Sequence, residues 1–191
     1  MEKCEITYFD EIRKENTMEV IGIVKDFQEK SGIRDIVISS NSGKSALELS
    51  KELDAKELNI VAISLHSGFH DGDDITWNEE YKRELEDYGV KCFIGTHALS
   101  GIDRGISRKF GGYNTAELMA ETYKTVSTGL KVAVEVSIMA SDAGLVPTDK
   151  EIIAIGGHSG YGVDTAVVLT SAHMNNVFDL KIRKILAITK D

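Results

Sequence analysis

Proline and cysteine are both scarce in this chain of 191 residues. Average usage of about 5% would give roughly ten prolines, but Pro147 is the only one. Glycine, with 17 residues, is therefore expected to shape the loops. The two cysteines, Cys4 and Cys92, match neither a zinc-binding spacing nor a disulfide framework. Such cysteine usage is typical of a protein from a reducing, cytoplasmic compartment.

Positive charge and long apolar runs are also lacking. The chain has 22 Lys and Arg against 31 Asp and Glu, a net charge of −9. This acidity argues against nucleic acid or an anionic membrane as the main partner, but not against a small anion at a local site. No apolar run approaches the roughly 18 residues of a membrane-spanning helix, and the charged segment 1–16 lacks the apolar core of a signal peptide. We predict one cytoplasmic domain, residues 1–191, with no nucleic-acid or membrane partner.

Apolar periodicity in the first half of the chain predicts alternating helices and strands. Residues 17–31 place apolar side chains near one face of a helix, and Gly32 stands where helices commonly end. Residues 36–38 then form a short apolar strand. The same order continues with a helix over 45–53, a strand over 59–64, a helix over 79–88 and a strand over 90–94. This alternation predicts an α/β fold with a mostly parallel sheet and helices on both faces.

The second half of the chain is less regular. A helix is predicted over 115–127, and the apolar stretch 130–143 is interpreted as a buried helix, although part of it also fits a strand. Residues 152–155 and 165–170 are predicted strands joined by a turn too short for a parallel crossover. We therefore expect an antiparallel strand at the edge of the sheet, followed by a last strand over 180–188.

A polar segment, residues 39–45, follows the first predicted strand and precedes a helix. A glycine-containing, hydroxyl-rich loop at a helix N-terminus favours phosphate binding, because unpaired N–H groups and the helix dipole attract an anion. Lys44 adds a positive charge. The segment is not a Walker A loop, because Ile38 occupies the position of that motif's first glycine. Helix capping by Ser and Asn is the alternative interpretation.

A second polar segment, residues 64–74, follows the next predicted strand. A parallel sheet would bring it to the same edge as residues 39–45. His66, His70 and several aspartates in it suggest a metal, but their spacing matches no zinc pattern. A solvated acidic loop is the favoured interpretation.

A third segment, residues 95–112, holds five of the glycines together with Arg104, Arg108 and Lys109. We predict a long irregular loop here, of the kind that is often functional. A local basic excess in an acidic chain favours anion binding. Pairing of the arginines with surface carboxylates is the alternative.

A fourth segment, residues 156–165, crowds four glycines into a predicted turn. It contains an incomplete dinucleotide-binding motif, because the third glycine is missing and a strand follows. We interpret it as a glycine turn closing over a ligand, with Tyr161 available to stack on a planar ring.

Elsewhere, Glu135 lies in an apolar stretch, and an ion pair with Lys131 is the favoured explanation for it.

The order of these segments resembles the C-terminal domain of pyruvate kinase. Residues 36–39 followed by 42–46 look like the strand and Ser-Gly-Arg/Lys-Ser/Thr-Ala loop that binds an effector phosphate in that family. Residues 59–64 look like its next strand, and residues 151–168 look like its late glycine loop and closing strand.

More closely, nearly the whole chain is similar to an archaeal stand-alone family with a pyruvate kinase C-terminal-like fold. Residues 95–101, 107–112 and 140–145 resemble its characteristic segments. The resemblance implies a three-layer α/β/α sandwich with one antiparallel strand, and a phosphate-bearing ligand such as flavin mononucleotide (FMN). It does not imply pyruvate kinase activity, which belongs to a separate barrel domain, and the basic segment 96–112 departs from the pyruvate kinase pattern.

Three hypotheses about function follow. The first is binding of a phosphorylated small molecule, with FMN as the favoured cofactor. The second is an enzyme that acts on a phosphorylated metabolite or uses a bound flavin, with His97 as acid or base because imidazole titrates near neutrality. The third is a ligand-sensing regulatory module that forms homo-oligomers. No metal site is predicted, and the predicted ligand-binding residues are Ser40, Asn41, Ser42, Gly43, Lys44, Ser45, His66, Thr96, His97, Arg104, Gly156, Gly157, Gly160 and Tyr161.

Overall fold

The fold is that of a computed structural model, and the structure describes residues 5–70 and 72–191. Cys4 and Asp71, both noted in the sequence, lie outside the described residues. The described elements are, in chain order, β1 (Thr7–Phe9), α1 (Asn16–Ser31), β2 (Asp35–Ser39), α2 (Lys44–Glu52), β3 (Asn59–Ser64), α3 (Glu79–Asp87), β4 (Lys91–Ile94), α4 (Gly101–Phe110), α5 (Thr115–Lys124), α6 (Thr128–Asp142), β5 (Glu151–His158), β6 (Gly162–Thr170), a 3-10 helix (Met174–Asp179) and β7 (Lys181–Thr189).

The seven strands form one sheet in the order β1-β7-β6-β5-β2-β3-β4. β6 is antiparallel to β5 and β7, and the other described strand pairs are parallel. The predicted α/β fold with a mostly parallel sheet is therefore confirmed. The prediction that the antiparallel strand lies at the sheet edge is wrong, because β7 and then β1 continue the sheet beyond β6. The buried run 163–169 in β6 fits this inner position, since both of its faces are covered.

Two apolar cores lie on the two faces of the sheet, as expected for three layers. Successive side chains of a strand point to opposite faces, so Ile36 and Ile38 of β2 join one core while Val37 joins the other. α1, α2 and α3 cover the first face, and α6 covers the second with α5 packed against it. Each fully buried aliphatic side chain contributes about 1.5–3 kcal/mol relative to an exposed one.

Helix α6 is almost entirely enclosed, which confirms the buried helix predicted over 130–143. Twelve of its fifteen residues are buried. It approaches β5 closely because Gly156 has no side chain: a Cβ atom there would overlap the Gly129 carbonyl and the Ala133 nitrogen. A Cβ atom on Gly129 would overlap Thr165 of β6 in the same way. Neither α6 nor any other helix within the described ranges has the length and apolar content needed to cross a membrane.

The prediction of an irregular loop over residues 95–112 is wrong, because helix α4 occupies most of this segment. Gly101 and Gly111 lie at the two ends of this helix and adopt positive φ angles of 40° and 76°. Of the helix's glycines, only Gly105 lies well inside it. None of the α4 residues is buried. The high glycine content favoured a loop over a helix in the prediction, although most of these glycines lie at or beyond the ends of a surface helix.

Candidate functional site

The segments after β2, β3, β4 and β5 meet at the carboxyl edge of the sheet and enclose a cavity of about 480 Å³. Hydrogen bonds join the segments after β2 and β3, because Ser64 and Thr76 both donate to the carbonyl of Asn41, at 2.7 and 2.9 Å. Open parallel sheets bind ligands at this edge. Of the predicted ligand-binding residues, those that line the cavity are Ser40, Asn41, Ser42, Lys44, Ser45, His97, Arg104, Gly157, Gly160 and Tyr161.

Four predicted residues lie outside the cavity lining. Gly43 precedes α2 with φ at +96° and packs against Trp77, while Gly156 packs against α6. Thr96 is exposed. His66 supports a lining residue, because its ring contacts the His97 ring edge-on with a centroid distance of 5.4 Å. Gly43, Gly156 and His66 thus shape or support the wall rather than face the cavity.

The start of α2 combines helix capping with free donors. Ser40 Oγ accepts from the N–H of Ala46 at 3.2 Å, and Ser42 Oγ accepts from the N–H of Lys44 at 3.4 Å. Within the described residues, the N–H of Ser45 has no acceptor. The Lys44 ammonium is 3.8 Å from Glu48 in an exposed pair, which holds it only weakly. Ser40 and Ser42 thus cap the helix, while a donor and a cation remain beside the cavity, and anion binding stays a prediction.

Two further helix N-termini reach the same cavity, from distant parts of the sequence. Lys14, Thr17 and Met18 line it at the start of α1, and Thr128 lines it at the start of α6. Thr17 also holds β6 in place, since its Oγ accepts from the N–H of Val163 at 3.2 Å. The sequence predicts a helix that begins at residue 17, and nothing local in that segment indicates the neighbouring strand ends.

The predicted glycine turn is the tip of the β5–β6 hairpin. Gly156 and Gly157 lie within β5, so only residues 159–161 form the turn. A Cβ atom on Gly162 would lie 3.5 Å from Ser45 Oγ and would overlap the Thr17 hydroxyl. The tip therefore lies directly against the starts of α1 and α2, and Tyr161 borders the cavity half-exposed.

A histidine held between two carboxylates forms the side of the cavity next to α6. His158 pairs through Nδ1 with Asp164 and through Nε2 with Asp191, the latter at 2.9 Å. Asp191 also accepts from the N–H of Thr128 at 3.0 Å. The hydrogen bond to Asp164 outweighs burial and raises the pKa of His158 above its usual 6.5. The first N–H of α6 is thereby occupied by an acid of the chain itself.

An aromatic wall borders the cavity at the segments after β3 and β4. Phe69 lies 5.0 Å from His97 between ring centroids, and the Arg104 guanidinium lies 5.2 Å above the Phe69 ring. Burial lowers the pKa of His97 from 6.5 to about 4. At neutral pH its ring is therefore uncharged, and its role as an acid or base stays a prediction.

Lys131 and Glu135 form the predicted ion pair, and both line the cavity. Their side chains are only 10% and 5% exposed. Glu135 Oε2 accepts from the Lys131 ammonium, and its Oε1 accepts from the N–H of Leu99 at 2.9 Å. The i,i+4 spacing identified the pair in the sequence, but did not show that it faces a cavity.

No cluster of three or more potential His, Cys, Asp or Glu metal ligands occurs in the described part of the chain. His66 and His70 instead take part in ring contacts with Phe69, at centroid distances of 5.5 and 5.1 Å. The histidines of residues 64–74 thus help to form the aromatic wall.

Comparison with known proteins assigns no family. No family model matches the chain. Among solved structures, the chain is similar to the NH3-dependent NAD synthetase from Campylobacter jejuni subsp. jejuni NCTC 11168 in complex with the nitrate ion, with 14% identity and a TM-score of 0.33. The match covers 66% of this chain and 59% of the synthetase chain. A likeness of this size assigns neither a fold family nor an activity, and the resemblance to the archaeal pyruvate kinase C-terminal-like family stays a prediction.

Proposed function

We propose that the cavity binds a phosphorylated small molecule, with a mononucleotide such as FMN as the favoured ligand. One observation carries the proposal: the N-termini of α1, α2 and α6 converge on the cavity together with Lys14, Lys44 and Arg104. Helix N-termini carry a partial positive charge, and their N–H groups bind phosphate. In a chain with a net charge of −9, such a concentration of positive potential favours an anionic ligand.

The phosphate is best placed at the start of α2. The Ser45 N–H, the Ser42 and Ser45 hydroxyls and the Lys44 ammonium are all available there. Charge-assisted hydrogen bonds of this kind are roughly twice as strong as neutral ones. The start of α6 is less available, because Asp191 already accepts from Thr128.

The remainder of the cavity suits a planar ring. Its volume of about 480 Å³ falls within the range of about 300–1,000 Å³ that is common for small-molecule sites. Phe69, His97 and Tyr161 offer aromatic faces on its walls. FMN would supply redox chemistry when bound, while these residues bind and orient it.

Ligand titration tests this function. We expect saturable quenching of FMN fluorescence by the purified protein, and weaker binding of riboflavin, which lacks the phosphate. Lys44→Ala should weaken FMN binding about tenfold, the equivalent of about 1.4 kcal/mol. Lys56→Ala, an equal charge loss at an exposed site away from the cavity, is the matched control.

Two results would contradict the proposal. One is the absence of saturable binding for FMN, AMP and inorganic phosphate alike. The other is equal affinity for FMN and riboflavin, since a phosphate site must distinguish them. Mass spectrometry of the small molecules that co-purify with the protein identifies the natural ligand independently.

A further inference from the structure

Lys131 presents a buried amine to the cavity. Its side chain is nine-tenths buried, and Glu135 is its only hydrogen-bond partner among the described residues. A lysine ammonium carries three N–H donors, so two of them have no acceptor in the described part of the chain. Because Lys131 lines the cavity, a ligand bound there could accept hydrogen bonds from these two donors.

A contribution to folding stability does not explain why a lysine is buried at position 131. A buried ion pair commonly contributes no more than well-packed apolar residues would, because both charges lose their hydration. Lys131 also lies in the first turn of α6, where its charge meets the positive end of the helix dipole. Apolar residues fill the neighbouring positions of this helix, among them Leu130, Ala133 and Val134. A charged pair at such a position indicates a chemical role.

Glu135 is fixed in a position from which it can exchange a proton with Lys131. One of its oxygens is held by the N–H of Leu99, and the other accepts from the Lys131 ammonium. The carboxylate thus cannot turn away from the amine without losing a hydrogen bond. His97 interacts electrostatically with both residues, and burial lowers its pKa to about 4, so its ring is a weaker proton acceptor than an exposed imidazole.

We propose that Lys131 reacts as a nucleophile with the carbonyl group of a phosphorylated aldehyde or ketone and forms an imine. This inference rests on the proposed phosphate site at the start of α2, and it names the substrate class. Glu135 accepts a proton from the ammonium, and the free Nζ lone pair attacks the carbonyl carbon to form a C–N bond. The attack leaves an alkoxide, which takes one of the two Nζ protons and becomes a hydroxyl. Glu135 then returns its proton to this hydroxyl, which leaves as water while the nitrogen lone pair forms the C=N bond. Amine and carbonyl are thereby converted to a protonated imine and one water, with no oxidant or reductant.

Reductive trapping tests the imine. Dihydroxyacetone phosphate is added to the purified protein with sodium borohydride, and the modified residue is located by peptide mass spectrometry. We expect Lys131 to gain the mass of the probe less one oxygen atom. Dihydroxyacetone, the same carbonyl compound without phosphate, should label at least tenfold less under identical conditions.

Variants separate reactivity from folding. Lys131→Arg keeps the positive charge but cannot form the imine, so it should lose the adduct while retaining the circular dichroism spectrum of the parent. Glu135→Gln should slow labelling at least tenfold, because it cannot accept the proton. Lys124→Arg removes an exposed lysine, paired with Glu121 at 2.7 Å, and should label as the parent does.

The two proposals fail in distinguishable ways. Labelling spread over exposed lysines, or no labelling of Lys131 in folded protein, overturns the imine. If FMN still binds and Lys44→Ala still weakens it, the phosphate site stands without the imine. Labelling of Lys131 that is equal for both probes and unaffected by Lys44→Ala would leave a reactive lysine and overturn the phosphate dependence.

Discussion

A Cβ atom on Gly43 would lie 2.8 Å from Cζ3 of the Trp77 ring. The Gly43 backbone also adopts φ at +96°, a region that disfavours any residue with a side chain. Trp77 is only 6% exposed, so its ring has little room to move away. This contact fixes the direction in which the chain enters α2.

Gly43→Ala should therefore lower the free energy of unfolding by about 2–3 kcal/mol, from backbone strain together with displacement of the indole. Gly89→Ala is the matched control, because Gly89 has φ at +81° and a Cβ atom added there would meet no atom within 4 Å. The control should lose only about 1 kcal/mol. Urea unfolding of both variants measures the difference, and equal losses would mean that the Trp77 contact contributes nothing.

Acidification should destabilise the protein through His97. Burial lowers the pKa of His97 to about 4 in the folded state, whereas an unfolded histidine titrates near 6.5. Between these values the unfolded chain binds the extra proton, so stability falls as the pH drops from about 6.5 to 4. We expect a loss on the order of 2 kcal/mol, which allows for the partial exposure of the ring.

Urea unfolding across pH 4–8 measures this effect, with His97→Gln as the comparison because it removes the titrating group. The parent should lose more stability than the variant over this interval. Parallel curves for the two proteins would contradict the buried, uncharged ring.

The contribution of His158 to stability should fall as the pH rises, the opposite of the dependence expected for His97. Its pKa is raised in the folded state, chiefly by the hydrogen bond to Asp164. The stabilisation by its charged form is fully present below about pH 6.5 and is lost as the pH rises through the raised pKa. His158→Gln should thus cost most stability in mild acid and progressively less in alkali.

Thermal unfolding at several pH values checks this dependence. His173→Gln is the control, since His173 meets Asp142 at 3.3 Å on the exposed surface. A difference between parent and His158→Gln that does not vary with pH would show that the carboxylates do not hold a charged imidazole.

Removal of one partner from the Lys131–Glu135 pair should be more costly than removal of both. Lys131→Met leaves a buried carboxylate without its counter-charge, which typically costs about 3–5 kcal/mol. The double variant Lys131→Met/Glu135→Leu leaves an apolar pair and should recover most of that loss. A double-mutant cycle from urea unfolding measures the coupling, and strictly additive losses would contradict a direct interaction.

The layered fold was predictable because local patterns specify it. Ile36, Val37 and Ile38 form an apolar run, and Gly32 ends the preceding helix, so helix and strand alternate visibly in the sequence. The position of β6 inside the sheet was not predictable in this way. It depends on the pairing of β1 with β7, which joins residues such as Phe9 and Thr189 that no local pattern connects.

The candidate site was predictable where its residues follow strand ends. Ser42, Lys44 and His97 come directly after β2 or β4, and a parallel sheet brings such residues together. Lys14 and Thr128 were missed because they enter from helix starts, where a lysine or threonine has an ordinary solvent or capping role. The lowered pKa of His97 was not predictable, because it follows from burial that only packing determines.

The β1–β7 edge is linked to one end of the cavity through the segment that carries Asp191. Lys190 donates its backbone N–H to the carbonyl of Phe9 at 2.9 Å, so β1 holds the segment that carries Asp191. β1 forms only three residue pairs with β7, and a short edge strand of this kind is expected to open locally more readily than the inner strands. Asp191 is also held by His158 at 2.9 Å, so release of the Thr128 amide requires the loss of that contact as well as the opening of this edge. Hydrogen exchange at Thr128 should therefore be slower than exchange at Lys190, whose N–H depends on the edge alone.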